Sequence, residues 1–312
     1  MAKVSAGKPI KGKRFEQALE ALREAAQSLR GDALIPHLRN ALQSDNSLLV
    51  QRAVKLLGDF PAPALREELE RAFDFFLHHP SEDKGCLAKE ALAHRLLLSD
   101  DTDDALWMRA ARHVQMEASF GDPIDAAAVL RGIAAMAVAT SASPDKMDVL
   151  VDLLLDPEHA TRAGTVRALG AAGSEAAMAL VHYKLLLGDK ASEVTAECLR
   201  AILLPEHITQ ARIGLAAKLL GGANDQLAEE AAIALGESRD ERVIPVLVHA
   251  LTRSVQAEIR GALLRALCLM RREEAYAALW EWLDDATPRM REEARMALAP
   301  FRGDAALTEL FV

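Results

Sequence analysis

The chain has 312 residues, of which 51% are hydrophobic and only 4% aromatic, and its formal net charge is −9. This hydrophobic content excludes a disordered chain, and the acidic balance disfavours binding to nucleic acid, which requires neutralisation of phosphates. Because no uninterrupted apolar stretch reaches the length of about 18 residues that spans a bilayer, we expect no membrane partner.

The N-terminal end of the chain is predicted to differ from the rest. The first fourteen residues are basic and lack a hydrophobic segment, so they do not form a secretory signal. We predict a disordered basic tail over residues 1–14. The apolar spacing from Phe15 to Arg30 predicts an amphipathic helix that caps the first repeat. Residues 15–312 are predicted to form one repeat domain, closed at its far end by residues 304–312.

A ten-residue pattern recurs through this domain, with an apolar residue at place 1, a small or apolar residue at place 5, and apolar residues at places 8 and 9. Eight copies begin near residues 49, 87, 129, 161, 194, 227, 259 and 290. The first two steps span 38 and 42 residues, and the last five span 31 to 33 residues, a period typical of repeat proteins. The long early steps predict longer helices or loops between residues 61 and 125. Arg95, at place 9, departs from the pattern in the second copy.

The pattern predicts pairs of helices. Places 1, 5, 8 and 9 lie on one side of a helix, so each copy predicts an apolar stripe. Seven residues before the first residue of most copies lies an apolar anchor, which marks the end of a preceding helix. Turn residues such as Gly221-Gly222 separate this helix from the helix of the copy itself. Signals for β-hairpins are missing. Because one helical pair cannot bury its stripe alone, we predict an all-α fold in which about eight hairpins stack as a right-handed α-solenoid.

The repeat resembles the HEAT-repeat superfamily, including the phycobilin-lyase type of HEAT-like repeats. The resemblance is carried by the second-helix ends Leu57-Gly58, Leu169-Gly170 and Leu235-Gly236. Two copies add an Asp that closes the first helix and an Arg six residues later, as in the Asp/Arg ladder of HEAT units: Asp156 with Arg162, and Asp285 with Arg291. The resemblance covers roughly residues 33–301. It implies a solenoid with its second helices on the concave side, but it implies no particular function.

Three enzyme families share such helical repeats. Deoxyhypusine hydroxylase-like proteins hold iron through His-Glu dipeptides, whereas this chain has only the reverse order, at Glu158-His159 and Glu206-His207. Phycobilin lyases share the repeat, so a phycobilin-lyase-like chromophore lyase is kept as the alternative function. DNA glycosylases with HEAT-like repeats use a basic cleft, and the acidic charge of this chain makes that alternative the weaker one.

No catalytic, cofactor or metal site is predicted. Cys86, Cys198 and Cys268 are widely spaced and form no Cys-x-x-Cys pair, so we expect buried thiols. The spacing closest to a metal motif is Glu90 with His94, which falls short of the three or four ligands that zinc takes. The sequence contains neither a phosphate-binding loop nor a nucleophile elbow. These absences favour a non-enzymatic protein.

One recurring position indicates a binding surface. Place 7 of the second helix is basic in four copies, as Lys55, Arg167, Arg200 and Arg265. On the concave side these residues would form a basic stripe that suits the carboxylates of an acidic segment. The alternative is ordinary intrahelical pairing, such as Glu197 with Arg200. We therefore predict a cytoplasmic scaffold or adaptor that binds a protein partner, with an acidic segment, along its extended concave surface.

Overall fold

The structure of the chain is a computed structural model, which describes residues 13–29, 31–58, 63–99, 103–222 and 224–311. These ranges hold seventeen α-helices, several short 3₁₀ turns and one pair of two-residue strands. No helix within them is both long enough and apolar enough to cross a membrane. The predicted N-terminal tail lies outside the described residues except for Lys13 and Arg14, with which the first helix begins.

The chain divides into two compact units, and unit 1 is Met1–Ala168. Its helices are α1 Lys13–Ser28, α2 Ile35–Leu42, α3 Ser47–Leu57, α4 Arg66–His78, α5 Leu87–Leu97, α6 Asp104–Ala111, α7 Ala128–Thr140, α8 Lys146–Leu154 and the first part of α9, His159–Ala172. Between α6 and α7, strands β1 (Met116–Glu117) and β2 (Ile124–Asp125) pair as an antiparallel hairpin. No hairpin signal in the sequence indicated it. Together with short 3₁₀ turns, it accounts for the long early steps of the repeat.

Unit 2 is Leu169–Val312. Its helices are α10 Glu175–Leu187, α11 Ser192–Ile202, α12 Gln210–Leu220, α13 Asp225–Glu237, α14 Ile244–Arg253, α15 Ala257–Leu269, α16 Glu273–Asp285 and α17 Pro288–Ala297. A 3₁₀ segment, Ala305–Phe311, follows and is held to α16, because Trp280 Nε1 donates to the carbonyl oxygen of Ala306 at 3.1 Å. That the last residues close the repeats stays a prediction.

After α1 the helices alternate between first and second helices. The second helices are α3, α5, α7, α9, α11, α13, α15 and α17, and each contains one of the eight predicted starts. Neighbouring first and second helices pack together, as in α4 with α5 and α12 with α13. The predicted all-α fold of sequential helical hairpins is therefore confirmed. A single array over residues 15–312 stays a prediction.

The second and third copies differ from the predicted register. Leu87 and Val129, assigned to place 1, are about half exposed, and the next residue of each helix, Ala88 or Leu130, is buried instead. The reason is that charged side chains occupy core positions there. Lys89 and Arg95 are buried in α5, and Arg131 is buried in α7. A sequence pattern defined by apolar residues misplaces the buried face of a helix when charged residues form part of that face.

A recurring arginine joins the two helices of several hairpins. At place 2 of their second helices, Arg162, Arg260 and Arg291 each donate to a backbone carbonyl at the end of the preceding helix or in the following turn. The acceptors include Asp156, Ser254 and Leu283, at 2.7, 3.2 and 3.0 Å. Arginine there satisfies carbonyls that lack a partner within the helix. Arg291 therefore contacts backbone, and not the Asp285 carboxylate that the resemblance implied.

In unit 2, helices α13 and α15 pack closely, and Gly236 lies at their crossing. A Cβ atom added at Gly236 would lie 2.7 Å from the Cα atom of Ala266, which is backbone and cannot turn aside. Gly214 in α12 has nothing within 4 Å of the same added atom. The two glycines are thus a matched pair, one at a close approach of helices and one in open space.

Gly236→Ala is expected to lower the free energy of unfolding by about 1–3 kcal/mol, because the methyl group must push two helices apart. Gly214→Ala is expected to raise it by about 0.5–1 kcal/mol, because alanine restricts the unfolded chain and favours the helix. Urea unfolding followed by far-UV circular dichroism measures both. Equal effects of the two substitutions would contradict the close packing of α13 and α15.

Candidate partner-binding surfaces

The structure places the four predicted stripe residues on second helices. Lys55 on α3 and Arg167 on α9 belong to unit 1, and both are exposed. Arg200 on α11 and Arg265 on α15 belong to unit 2, where they are half-buried. Within unit 2, α13 packs against both α11 and α15. The surroundings of the two arginines are therefore set largely by the side chains of α13.

Arg200 lies among three carboxylates. Its guanidinium is 3.4 Å from Glu197 on its own helix, 3.2 Å from Glu230 and 3.3 Å from Glu237, the last two on α13. The pairing with Glu197 is the intrahelical alternative that the sequence left open, and it is present. The Arg200 side chain nevertheless keeps 36% of its surface exposed. Arg200 is thus held in place without being removed from solvent.

Arg265 has a similar but looser environment. Its guanidinium is 3.9 Å from Glu229 of α13, and its side chain is 33% exposed. Farther along the unit, Glu293 of α17 contacts both Arg260 and Arg289. The second-helix face of unit 2 therefore carries charges of both signs, paired between neighbouring helices. The sequence signal for this was the adjacent Glu229 and Glu230, which could be interpreted only as a solvated pair.

A groove opens on the other side of unit 2, between first helices α12 and α14. Helix α14 packs against α16, but α12 and α14 have little contact, although the second helices below them pack closely. The gap is bordered by small residues at the end of α12 and in the next turn: Ala217, Gly221 and Gly222. Its volume is about 1150 Å³, and it is open to solvent along its length.

The groove combines an apolar floor with cations. Leu220, Val246 and Ile259 are among its apolar lining residues, and Lys218 and Arg253 are exposed at its rim. Neither cation forms an ion pair with any residue that the structure describes. Sequence reasoning missed this site, because Lys218 and Arg253 occupy no recurring place of the repeat.

The one carboxylate that lines the groove is already engaged. Asp225 Oδ2 accepts a hydrogen bond from Gln256 Nε2 at 3.1 Å, which ties the first turn of α13 to the residue before α15. Exposed His249 also lines the groove. Two unpaired cations and one engaged carboxylate make this surface unusually basic for a chain with a net charge of −9.

A groove of similar size in unit 1 has an acidic lining that is partly paired with arginines. It has a volume of about 1080 Å³, lies along α4, and is lined by several acidic side chains. Arg39 Nε is 2.8 Å from Glu68, and Arg109 Nη2 is 2.6 Å from Asp74. Part of the negative charge along this groove is therefore compensated by arginines, whereas the groove in unit 2 carries exposed cations.

A buried arginine fixes the base of the β-hairpin in unit 1. Arg131 donates to Asp125 Oδ2 at 2.6 Å, to both carboxylate oxygens of Asp156 at 2.8 and 2.9 Å, and to the carbonyl of His113 at 2.9 Å. Burial would raise the pKa of the Asp125 carboxyl, but hydrogen bonds from backbone N–H groups and from Arg131 outweigh it and lower that pKa. The cluster joins the hairpin, α7 and the turn after α8.

A second buried network joins the hairpin to α5. Lys89 Nζ is 3.1 Å from Asp83 Oδ2, and both side chains are almost completely buried. Gln115 Nε2 donates to the carbonyl of Asp83 at 2.9 Å and to Glu117 Oε1, which also accepts from the backbone of Gly85 at 2.7 Å. Every polar group named here has a partner, so the network has a structural role.

The hairpin held by these networks exposes apolar side chains. Its exposed members are Val114, Met116, Phe120 and Ile124. An apolar side chain on a well-anchored element costs solvation free energy, which is typical of a surface that meets a partner.

The cysteines do not have the properties of nucleophiles. All three are free and buried, as expected from their spacing. Burial is the main reason that the pKa values of Cys86, Cys198 and Cys268 rise to about 12, which keeps the thiols protonated. In the part of the chain that the structure describes, no three His, Cys, Asp or Glu residues are arranged to hold a metal ion.

Comparisons with known proteins agree with this architecture. Residues 214–299 match the family of HEAT repeats. No curated protein sequence matches the chain. Among solved structures, human deoxyhypusine hydroxylase in complex with glycerol is similar, with 17% identity, 93% of this chain and 99% of that chain covered, and a TM-score of 0.32. An engineered protein is also similar, with 19% identity, coverage of 97% and 89%, and a TM-score of 0.37. At these TM-scores, no property of either protein carries over to this chain.

Proposed function

We propose that this chain, a HEAT-repeat protein, is a non-enzymatic scaffold. It binds a protein partner through the exposed face of its second helices. The partner contributes an acidic segment. The proposal also places the protein in the cytoplasm, in keeping with three buried cysteines that form no disulfide bonds.

The observation that carries the proposal is the recurrence of solvent-accessible basic side chains at one place of the second helix. Lys55 and Arg167 are exposed, and Arg200 and Arg265 keep about a third of their side-chain surface exposed. Arginine recognises carboxylates through two parallel hydrogen bonds, which provide both binding energy and geometric specificity.

The glutamates around the two arginines of unit 2 do not prevent this role. Exposed ion pairs contribute only about 0–1 kcal/mol each, so a partner carboxylate can replace one at small cost. Glu197, Glu230 and Glu237 also hold Arg200 in one orientation before the partner arrives. Less side-chain freedom is then lost on binding.

The shape of the described surfaces also supports a scaffold. A lyase or a glycosylase needs one enclosed polar pocket around its substrate. The grooves of about 1150 and 1080 Å³ are open to solvent, and a shallow open groove suits an extended protein segment.

The proposal is tested by affinity capture from the native lysate followed by quantitative mass spectrometry. The test variant changes Lys55, Arg167, Arg200 and Arg265 to Glu, and we expect it to lose a protein that the wild type captures. The control variant changes four other exposed basic residues to Glu, with the same change in net charge: Arg23, Arg112, Lys190 and Arg302. Circular dichroism establishes that both variants are folded.

Each outcome of this capture has a definite meaning. Loss of one protein from the test variant alone supports recognition by the second helices. Retention of that protein by both variants contradicts the role of the four basic residues. A wild-type chain that captures no protein contradicts the scaffold function.

A further inference from the structure

We propose that the groove between α12 and α14 is a docking site for an acidic protein segment that also carries apolar side chains. The inference rests on the proposed scaffold function, but it concerns a different surface from the four basic residues of the second helices. It assigns a binding role to residues of first helices, outside the recurring pattern.

Charge complementarity determines the class of partner. Lys218 and Arg253 line the same groove, are exposed, and have no acidic partner among the described residues. The second-helix arginines Arg200 and Arg265 differ, because each is paired with glutamates. An incoming carboxylate at the groove therefore gains an attraction without first breaking one.

The lining of the groove requires an apolar component as well. Leu220 and Val246 are half-buried apolar residues of the lining, and Val255, which also lines the groove, is 89% exposed. Covering such surface stabilises a complex by about 25 cal/mol for each Å² removed from water. A purely acidic chain would leave this surface exposed, so the segment that fits carries both carboxylates and aliphatic side chains.

The groove suits a protein segment better than a small molecule. Sites for small molecules are concave and enclose most of the ligand surface, whereas this groove is open and runs along α14 beside the end of α12. Laying an amphipathic segment along such a groove is a recurrent mode of peptide recognition.

The test is a titration of the full chain with a fluorescently labelled synthetic peptide that alternates pairs of Glu and Leu. A peptide with Gln in place of every Glu is the second probe. We expect the Glu peptide to bind the wild type more tightly than the Gln peptide does. Lys218→Glu/Arg253→Glu should weaken binding of the Glu peptide by at least about tenfold, since two attractions become repulsions.

The matched control is Lys190→Glu/Arg302→Glu, which makes the same charge change at exposed positions of unit 2 outside the groove. We expect its affinity for the Glu peptide to stay within about twofold of the wild type, because distant surface charges are screened by salt. A third variant, Ala250→Trp, fills the floor of the groove and should weaken both peptides.

Three results would overturn the inference: no binding of the Glu peptide to the wild type at millimolar concentration, equal binding of the Glu and Gln peptides, or equal affinities of the groove variant and its control. Hydrogen exchange provides a second measurement, with new protection expected at residues 217–222 and 245–256. Protection confined to the second helices would contradict the site.

The variant with Lys55, Arg167, Arg200 and Arg265 changed to Glu belongs in the same titration. If this variant loses the Glu peptide and the groove variant keeps it, the groove inference fails and the proposed function stands. If only the groove variant loses the peptide, the inference stands independently of the second-helix surface.

Discussion

Replacement of Arg131 by Met is expected to lower the free energy of unfolding by about 3–5 kcal/mol, because it leaves buried carboxylates without their cation. Asp125 and Asp156 together receive three hydrogen bonds from the Arg131 guanidinium. A methionine side chain fills similar space but donates no hydrogen bonds. Urea unfolding followed by circular dichroism measures the loss, and it should be among the largest that a single substitution causes in unit 1.

The difference between the wild type and Arg131→Met should also depend on pH. The pKa of Asp125 is lowered in the folded chain, so its ionised form stabilises the fold above its unfolded pKa of about 3.9. This contribution is lost as the pH falls through the lower, folded value. We expect the full difference above about pH 5 and a smaller difference in more acidic solution.

The control for this prediction is Arg112→Met, which removes an exposed arginine just before the hairpin. Its effect should stay within about 0.5 kcal/mol, as for most surface substitutions. If Arg131→Met were no more destabilising than Arg112→Met at neutral pH, the buried ion pairs would not have the structural role described above.

Lys89→Met is the second substitution for which a loss of about 3–5 kcal/mol is expected, since it removes one partner of a fully buried pair. The Asp83 carboxylate would then keep its hydrogen bonds from the backbone N–H groups of Ala88 and Lys89, at 3.0 Å each. Its carboxylate would remain in the interior without a counter-ion. Thermal and urea unfolding should both show the loss.

A double-mutant cycle separates this pairing from ordinary packing. Asp83→Asn combined with Lys89→Met should cost less than the sum of the two single changes by at least about 1 kcal/mol, because groups in contact do not act independently. Strict additivity would mean that the two side chains stabilise the fold by separate contacts and that the ion pair itself contributes nothing.

Much of the fold could be predicted because one physical signal repeats. Leu169, Leu235 and Leu267 recur at the helical spacing that a shared core requires, and all three are buried. The signal failed where the core holds charge. Lys89 and Arg131 face inward, and their partners Asp83, Asp125 and Asp156 lie outside the helices, where periodicity gives no information.

The candidate surfaces were less predictable than the fold. The place of Arg200 on its helix followed from the repeat, but its contacts with Glu230 and Glu237 depend on how α11 and α13 cross. The groove exists because α12 and α14 have little contact with each other. Helix spacing of this kind results from the sum of many contacts, and no residue such as Lys218 or Arg253 signals it alone.

The unequal packing of unit 2 has a mechanical consequence. The backbones of α13 and α15 approach closely at Gly236, which leaves little room for their separation to change, whereas α12 and α14 border an open groove. We therefore expect any bending of unit 2 to change the width of the groove more than the separation of α13 and α15. If the proposed segment binds, we therefore expect segments of different bulk to be accommodated by a change in the spacing of α12 and α14, with the α13–α15 crossing unchanged.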